Sequence, residues 1–544
     1  MTRILSLLDS RGLLPKGKPR ELSITAGELE TLVKAKVYAN SVAASEGVIY
    51  SLARDRSKKF LCLLTGALSH ERTADFTGRE RIITLDSVPG RKRTSRRELL
   101  LKSCDLTVEN GVALRKHLEF TAPRVIGVRK AIGMGDRLGL AAPGHVRAVQ
   151  RTGLAPFFAQ QSVREISRLG RTAEEVLACA TWGVFEEGFR ESHGADADHL
   201  KTVDDAIRSA RAGFTMFTVD PGDHVDNACG SYDAETLKAK FEALPLADLE
   251  TTFGELPRRY SGKTVKFGKS REEKFEERAV VCAAVKYGRA VAHATKIFRA
   301  LAQEMGKRPF ELEMSVDETL TPTTPLEHFF VASELKRLGV RLVSLAPRFV
   351  GDFEKGVDYK GSVGKFERSF AEHVAVAGLL GPYKMSIHSG SDKFIIFPIA
   401  SRLAGELVHL KTSGTSYLEA LRVIAGVEPE LFRDIVAFAL ERYSSDRATY
   451  HVSAEASNVP APRGLKDKDL PPVLDLFDAR QVLHVTFGSV LTSRGNDGNY
   501  RFRDRILKAL FDNEGAHYEA VAAHLKEHIA PFESVSVRRK EKRT

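Results

Sequence analysis

Cysteine is scarce and scattered. The five residues, Cys62, Cys104, Cys179, Cys229 and Cys282, lie far apart and form no CxxC pair. That argues against a disulfide scaffold or a thiolate zinc site, and for a reducing, cytoplasmic compartment. No apolar run approaches the roughly 18 residues a membrane helix needs, so no membrane partner is expected. The N-terminus, MTRILSLLDSRG, lacks both a long apolar core and a small-residue cleavage site, and reads as mature sequence. Internal repeats and low-complexity tracts are missing, which excludes solenoids and arrays. Charge of one sign is not dominant either: Lys+Arg 82 against Asp+Glu 71 leaves +11. Part of the excess sits in RKRTSRR (91–97) and RRKEKR (538–543). A nucleic-acid binder would show a denser stripe with interleaved aromatics, so these read as solvated loop and tail.

What is present is an ordinary globular composition. The 544 residues are 43% hydrophobic and 28% charged, which excludes wholesale disorder. At about 100–200 residues per domain, the length suits two to four domains or one large barrel with additions. Residues 1–120 mix short apolar strands, such as KKFLCLLTG (58–66), with basic loops, and read as an accessory α/β domain. Residues 121–530 read as the catalytic domain, and 531–544 as a basic, disordered tail.

In the central part, short apolar runs ending in polar residues alternate with helical patterns. The runs are RLGLAAP (137–143), APFFAQQ (155–161), ADADHL (195–200), FTMFTVD (214–220), FELEMSVDE (310–318), RLVSLAPRF (341–349), YKMSIHSG (383–390) and LVHLKTSG (407–414). Eight strands alternating with helices predict a parallel (β/α)8 TIM-like barrel. The polar stretch 230–270 reads as an insertion or lid between the fourth and fifth strands.

Barrel enzymes place their chemistry at the C-terminal strand ends. There the sequence offers Asp196, Asp198 and His199, then Asp220, then Asp317 and Glu318, then Arg348, His388, and finally His409 and Lys411. Imidazoles from separate strands, His199, His388 and His409, can converge on one divalent ion. Equally, each can hydrogen-bond inside the barrel. Asp198 and Glu318 are candidates for proton transfer. Each adjoins a second site residue, so strand alternation would send the neighbours to opposite faces unless a bend or bulge intervenes. HSGSDKF and KTSGTSY place glycine and hydroxyl residues where an anion can meet backbone N–H groups. Lys393, Lys411 and Arg348 would add positive charge for a phosphate or carboxylate. GMGDRLG (133–139) has three residues between Gly135 and Gly139 and so misses the dinucleotide spacing. The pair His524 and His528 reads as a solvated helix face, and Trp182 as packing.

Longer motifs carry a resemblance. GMGDRLGLAAPGHVRAV, FAQQSVRE, TWGVFEEGF, GADADHLK, GFTMFTVDP, SVDETLTPTTP, FEKGVDYKG, HSGSDKF and HLKTSGTSYLEALRV resemble the tagaturonate epimerase family, in order, over about residues 121–530. The resemblance implies interconversion of D-tagaturonate and D-fructuronate in hexuronate catabolism, with a divalent metal. It implies metal ligands His199, His388 and His409, and proton transfer around Asp198 and Glu318. It makes the anion a uronate carboxylate, with Arg348, Lys393 and Lys411 as candidate binders. The metal is left open among zinc, nickel, manganese, iron and cobalt, and the oligomeric state is open too. The competing readings are a sugar-phosphate isomerase or aldolase on the same barrel, and a non-catalytic sugar-binding protein.

Overall fold

The computed structural model describes residues 2–8, 19–86, 96–268 and 271–540. The basic segment at 91–97 therefore lies almost wholly outside the described residues. Two compact units emerge. The first comprises Met1–Pro123 with Glu174–Ser192, and the second Arg124–Ala173 with His193–Thr544.

The first unit is built on an antiparallel sheet of six strands: β1 (Lys36–Val37), β2 (Ala43–Ser45), β3 (Val48–Arg54), β4 (Lys59–Gly66), β5 (Arg79–Asp86) and β6 (Arg96–Asp105). The order is β1-β3-β4-β6-β5, with β2 on β3. Its central strands are apolar on both faces, and alternate residues feed two cores. Ile49, Ala53, Cys62, Leu64, Leu99 and Leu101 pack with Ile4, Ala26 and Leu29 of the N-terminal helices. Val48, Tyr50, Leu52, Leu61 and Leu63 pack with Leu114, Trp182 and Phe185. Trp182 is thus a core residue. It belongs to helix Ala173–Glu186, so the unit is not a contiguous stretch of chain.

The second unit holds the barrel. Its strands are β7 (Ala131–Met134), β8 (Ala155–Ser162), β9 (Gly194–Leu200) and β10 (Met216–Val219), then β13 (Glu311–Val316), β14 (Leu342–Pro347), β15 (Lys384–Ile387) and β16 (Val408–Thr412). Between the two sets lies a hairpin of β11 (Thr264–Phe267) and β12 (Arg271–Lys274). All eight barrel strands are parallel to their neighbours, and β16 closes on β7. Seven of the eight expected runs coincide with strands.

The first does not. Residues 137–143 form a loop and the start of helix Ala142–Val149, and the strand lies earlier, at Ala131–Met134. The Asp136 carboxylate accepts N–H bonds from Leu138, Gly139 and Ala141 at 2.7–3.1 Å, and Gly139 is left-handed at φ 76°. That turn ends the strand. Arg137 points inward, 3% exposed, where its Nε and Nη2 reach Glu165 Oε1 at 2.8 and 2.6 Å.

The 230–270 insertion forms helices Ala234–Glu242 and Glu255–Tyr260 and strand β11. Leu244 packs against Gly288 of helix Glu277–Met305, and the Tyr260 hydroxyl donates to Glu334 at 2.6 Å. The segment is an insertion anchored on the outer helices. A disulfide joins Cys229, at its edge, to Cys282, with Cα atoms 5.9 Å apart. One bridge is not a scaffold; the 53 residues between its ends in sequence fold back on that helix.

After β16, helices Thr415–Val427, Pro429–Asp446, Phe477–Val485 and Phe487–Thr492 contribute to one large core. Helix Glu514–Lys540 follows, so helical backbone extends into the stretch expected to be disordered. It crosses helix Ala142–Val149 at Gly144, where an added Cβ would sit 2.9 Å from Val521 Cβ.

Replacing Arg137 with Met leaves Glu165 buried without its cation. We expect a loss of about 3–5 kcal/mol in urea unfolding. Adding Glu165→Leu should restore part of it.

Candidate active site

The site begins with an irregularity. On β9, Ala197 pairs with Phe217 and Leu200 with Val219, so two residues, Asp198 and His199, stand opposite the single Thr218 of β10. His199 takes φ 53°. This bulge breaks the alternation that would have separated the neighbours, and both side chains turn to one space. His199 Nδ1 lies 3.0 Å from Asp198 Oδ1, and its Nε2 lies 3.6 Å from Asp317 Oδ1. From β15, His388 approaches with its ring centroid 4.9 Å from that of His199. Its Nε2 is 2.6 Å from Glu313 Oε1, and its Nδ1 is 3.3 Å from Asp317 Oδ1. Glu313 thereby fixes the orientation of the ring and turns its Nδ1 toward Asp317.

Lys411, at the end of β16, sits level with His388. Its Nζ is 2.7 Å from Asp196, 2.9 Å from Asp198 and 2.8 Å from Glu313. Gln160 of β8 donates to the other oxygen of Asp198 at 2.7 Å. Burial works against ionising Asp198, but the charges of His199 and Lys411 more than offset it and hold its carboxyl well below the usual range. Burial alone would keep His388 neutral. Asp317 reverses that, and the ring is pushed up to about 9.

The ligating atoms of Asp198, His199 and His388 lie within 4.8 Å of one another. Neither ring nitrogen of His199 has an aligned hydrogen-bond partner, although both are buried. Five carboxylates (Asp196, Asp198, Glu313, Asp317, Glu318) face two permanent cations, Lys411 and Arg164. Converging imidazole and carboxylate donors fit a divalent cation.

His409, the third of the expected trio, lies outside this group of three. It pairs with Ser386, two residues below the level of His388. There it is fully buried, stacked on Phe157 at 5.0 Å, with Glu313 3.5 Å from its Nδ1. Burial pushes its pKa down to about 3, so the ring stays neutral. Lys411 occupies the level at which His409 was expected.

Three further groups sit elsewhere than the sequence suggested. Lys393 is fully buried, and its Nζ donates to the carbonyls of Glu354, Val357 and Ser391. It holds a loop and has no donor left for a ligand. Lys411 is likewise spent on protein carboxylates. The loop after β15 also carries Asp392, buried and bound by Arg480 at 2.9 Å. His524 and His528 are not a solvated face. His524 Nε2 lies 2.6 Å from Asp392 Oδ1, and the Asp392 backbone N–H donates to His528 Nε2 at 2.8 Å. That bond uses the lone pair a metal would need, so this second histidine pair is a structural latch.

Glu318 stays at the mouth, 35% exposed and bonded to Arg164. Burial raises its carboxyl, yet His199 and Arg164 hold it below the ordinary value. Glu318, Asp317, His388 and Arg348 line a cavity of about 430 Å³, together with Lys355. Arg348 Nε is buried without a partner. Lys355 donates to Ser389 at 2.7 Å. Among the described residues, neither cation pairs with a carboxylate. The sequence reading missed Lys355, Gln160, Arg164 and Glu313. Only Glu313, an acid in register with the core of an apolar strand, carried a signal: a charge at a buried position demands a partner.

Comparison with known proteins identifies the family. The family model for tagaturonate epimerase (UxaE) matches residues 38–532. The tagaturonate/fructuronate epimerase of Thermotoga maritima is 45% identical over 426 residues, covering 78% of this chain and 85% of that protein. The glycerol-complexed crystal structure of fructuronate-tagaturonate epimerase from Cohnella laeviribosi superposes with a TM-score of 0.83 at 35% identity, covering 95% of this chain and 99% of the other. Its native form gives the same TM-score and identity over 94% and 99%. The chain belongs to the tagaturonate epimerase family, and it is an isomerase.

Proposed function

We propose that this barrel mouth interconverts D-tagaturonate and D-fructuronate by retro-aldol cleavage and re-addition. The observation that carries it is a pair of cations without carboxylate partners, Arg348 and Lys355, facing a cavity that adjoins the Asp198–His199–His388 cluster. A uronate carboxylate matches the cations, and a ketone matches the cluster. The two ketouronates differ at C4, with the ketone at C2 and the carboxylate at C6. Enolisation acidifies the hydrogen on C3, not that on C4, so simple deprotonation does not invert the centre. Cleaving C3–C4, turning the aldehyde and re-adding it to its other face does.

His199, His388 and Asp198 are the residues that would hold a divalent metal. When bound, such an ion supplies Lewis-acid stabilisation of negative charge at the ketone oxygen. Zinc, nickel, manganese, iron and cobalt all suit this donor set. Asp198 is assigned to the ligand set, positioned by Lys411 and Gln160. Glu318 is assigned to proton transfer: it faces the cavity, and its Arg164 partner holds it ionised to accept the C4 hydroxyl proton and return it. Arg348 and Lys355 fix the carboxylate. A cytoplasmic place in hexuronate catabolism goes with this reading.

Four measurements test it. Chelation should abolish interconversion of the two ketouronates, and one divalent metal should restore it. His199→Ala and His388→Ala should bind less than a tenth of the wild-type metal by elemental analysis, whereas His409→Gln should retain it. The reverse pattern would overturn the ligand assignment. Arg348→Met should raise KM at least tenfold, about 1.4 kcal/mol, with kcat within threefold. In D2O, no solvent deuterium should enter C4; full exchange there would overturn the retro-aldol route.

A further inference from the structure

Two spaces of very different size meet at the strand ends. One is the cavity of about 430 Å³ that holds Arg348 and Glu318. The other is a crevice of about 20 Å³ beside Gln160, Asp198, His199 and Lys411. The crevice admits one small group, such as a ketone oxygen, and nothing that must turn. A three-carbon acid can rotate in the chamber.

Lys355, His388, Ser389 and Tyr450 line both spaces. Tyr450 differs from the other three. It comes from the segment after helix Pro429–Asp446, not from a barrel loop. Its ring is held by Arg168 and Arg164, whose guanidinium carbons lie 4.6 and 5.5 Å from the ring centroid. Its hydroxyl is buried and has no hydrogen-bond partner. A buried hydroxyl left unbonded costs about 1–3 kcal/mol, so an unpartnered one on a residue that lines both the chamber and the crevice is a group awaiting a ligand.

We propose that Tyr450 contacts the substrate: its hydroxyl hydrogen-bonds the oxygen on C4 and retains the aldehyde half in the chamber while it turns. The inference rests on the retro-aldol reading above. In that step the C4 hydroxyl proton passes to a carboxylate, the C3–C4 bond breaks, and its electron pair stays on C3. Re-addition reverses this on the other aldehyde face. If the aldehyde half escapes, C3 takes a proton from solvent instead. The products are then dihydroxyacetone and a three-carbon aldehyde acid, with all atoms accounted for.

Tyr450→Phe keeps the ring and its arginine contacts and removes only the hydroxyl. On the metal-loaded full chain, kcat should fall at least tenfold with KM within threefold. Free dihydroxyacetone should appear, read by an enzymatic reduction assay, where the wild type releases none. Unchanged kcat and no free triose would overturn the proposal. Lost turnover without triose would overturn it too, since a purely structural role slows the reaction without opening a leak. A wild type inactive on both ketouronates would overturn the functional reading, and this inference with it.

Discussion

A single ammonium group organises the barrel interior. Lys411 Nζ lies within 3 Å of carboxylates on β9 and β13, three in all. Burying any one of those acids alone would be prohibitive. Together with one cation they are tolerable, and two of them, Asp198 and Glu313, also meet the imidazoles of His199 and His388. Converging oxygen and nitrogen donors are what make the strand ends receptive to a divalent ion. Lys411 also ties three strands to one geometry, so the donors of Asp198, His199 and His388 are placed before any ligand arrives. Preorganisation of this kind reduces the reorganisation a reaction must drive.

The bulge at His199 is the second requirement. Without the extra residue between Ala197 and Leu200, a strand could present Asp198 or His199 to the centre, but not both. The left-handed backbone at His199 has a modest conformational cost, and the packed strands on either side hold it in place. The site therefore depends on a departure from regular structure that the barrel stabilises.

How much of this was legible beforehand follows from the range of the interactions involved. Runs such as FELEMSVDE announce a strand by themselves, and seven of the eight were readable for that reason. The first was not, because its four residues, Ala131–Met134, are shorter and less distinctive than the apolar loop that follows. His199 and His388 could be picked out as strand-end histidines. The deeper placement of His409 could not, since alternation puts His409 and Lys411 on the same inner face. Which of them reaches the rim depends on the stagger between β15 and β16. Lys393 looked like a ligand group because its loop is polar, and only the fold shows three carbonyls converging on it. Lys355 and Tyr450 arrive from irregular segments with no periodicity to read. His524 and His528 looked solvated because their neighbours in sequence are charged. Their true partner, Asp392, is 132 and 136 residues away.

That latch has an implication for how the molecule is made. By Thr412 all eight strands of the barrel have been synthesised. Yet the loop that follows His388 is held through Asp392 by His524 and His528, and Lys130, next to the first strand, donates to the carbonyl of Phe532. A nascent chain can close its barrel early and still lack a settled rim. Maturation of the rim waits for the last helix, whose histidines reach back 132 and 136 residues to the loop beside the chemistry.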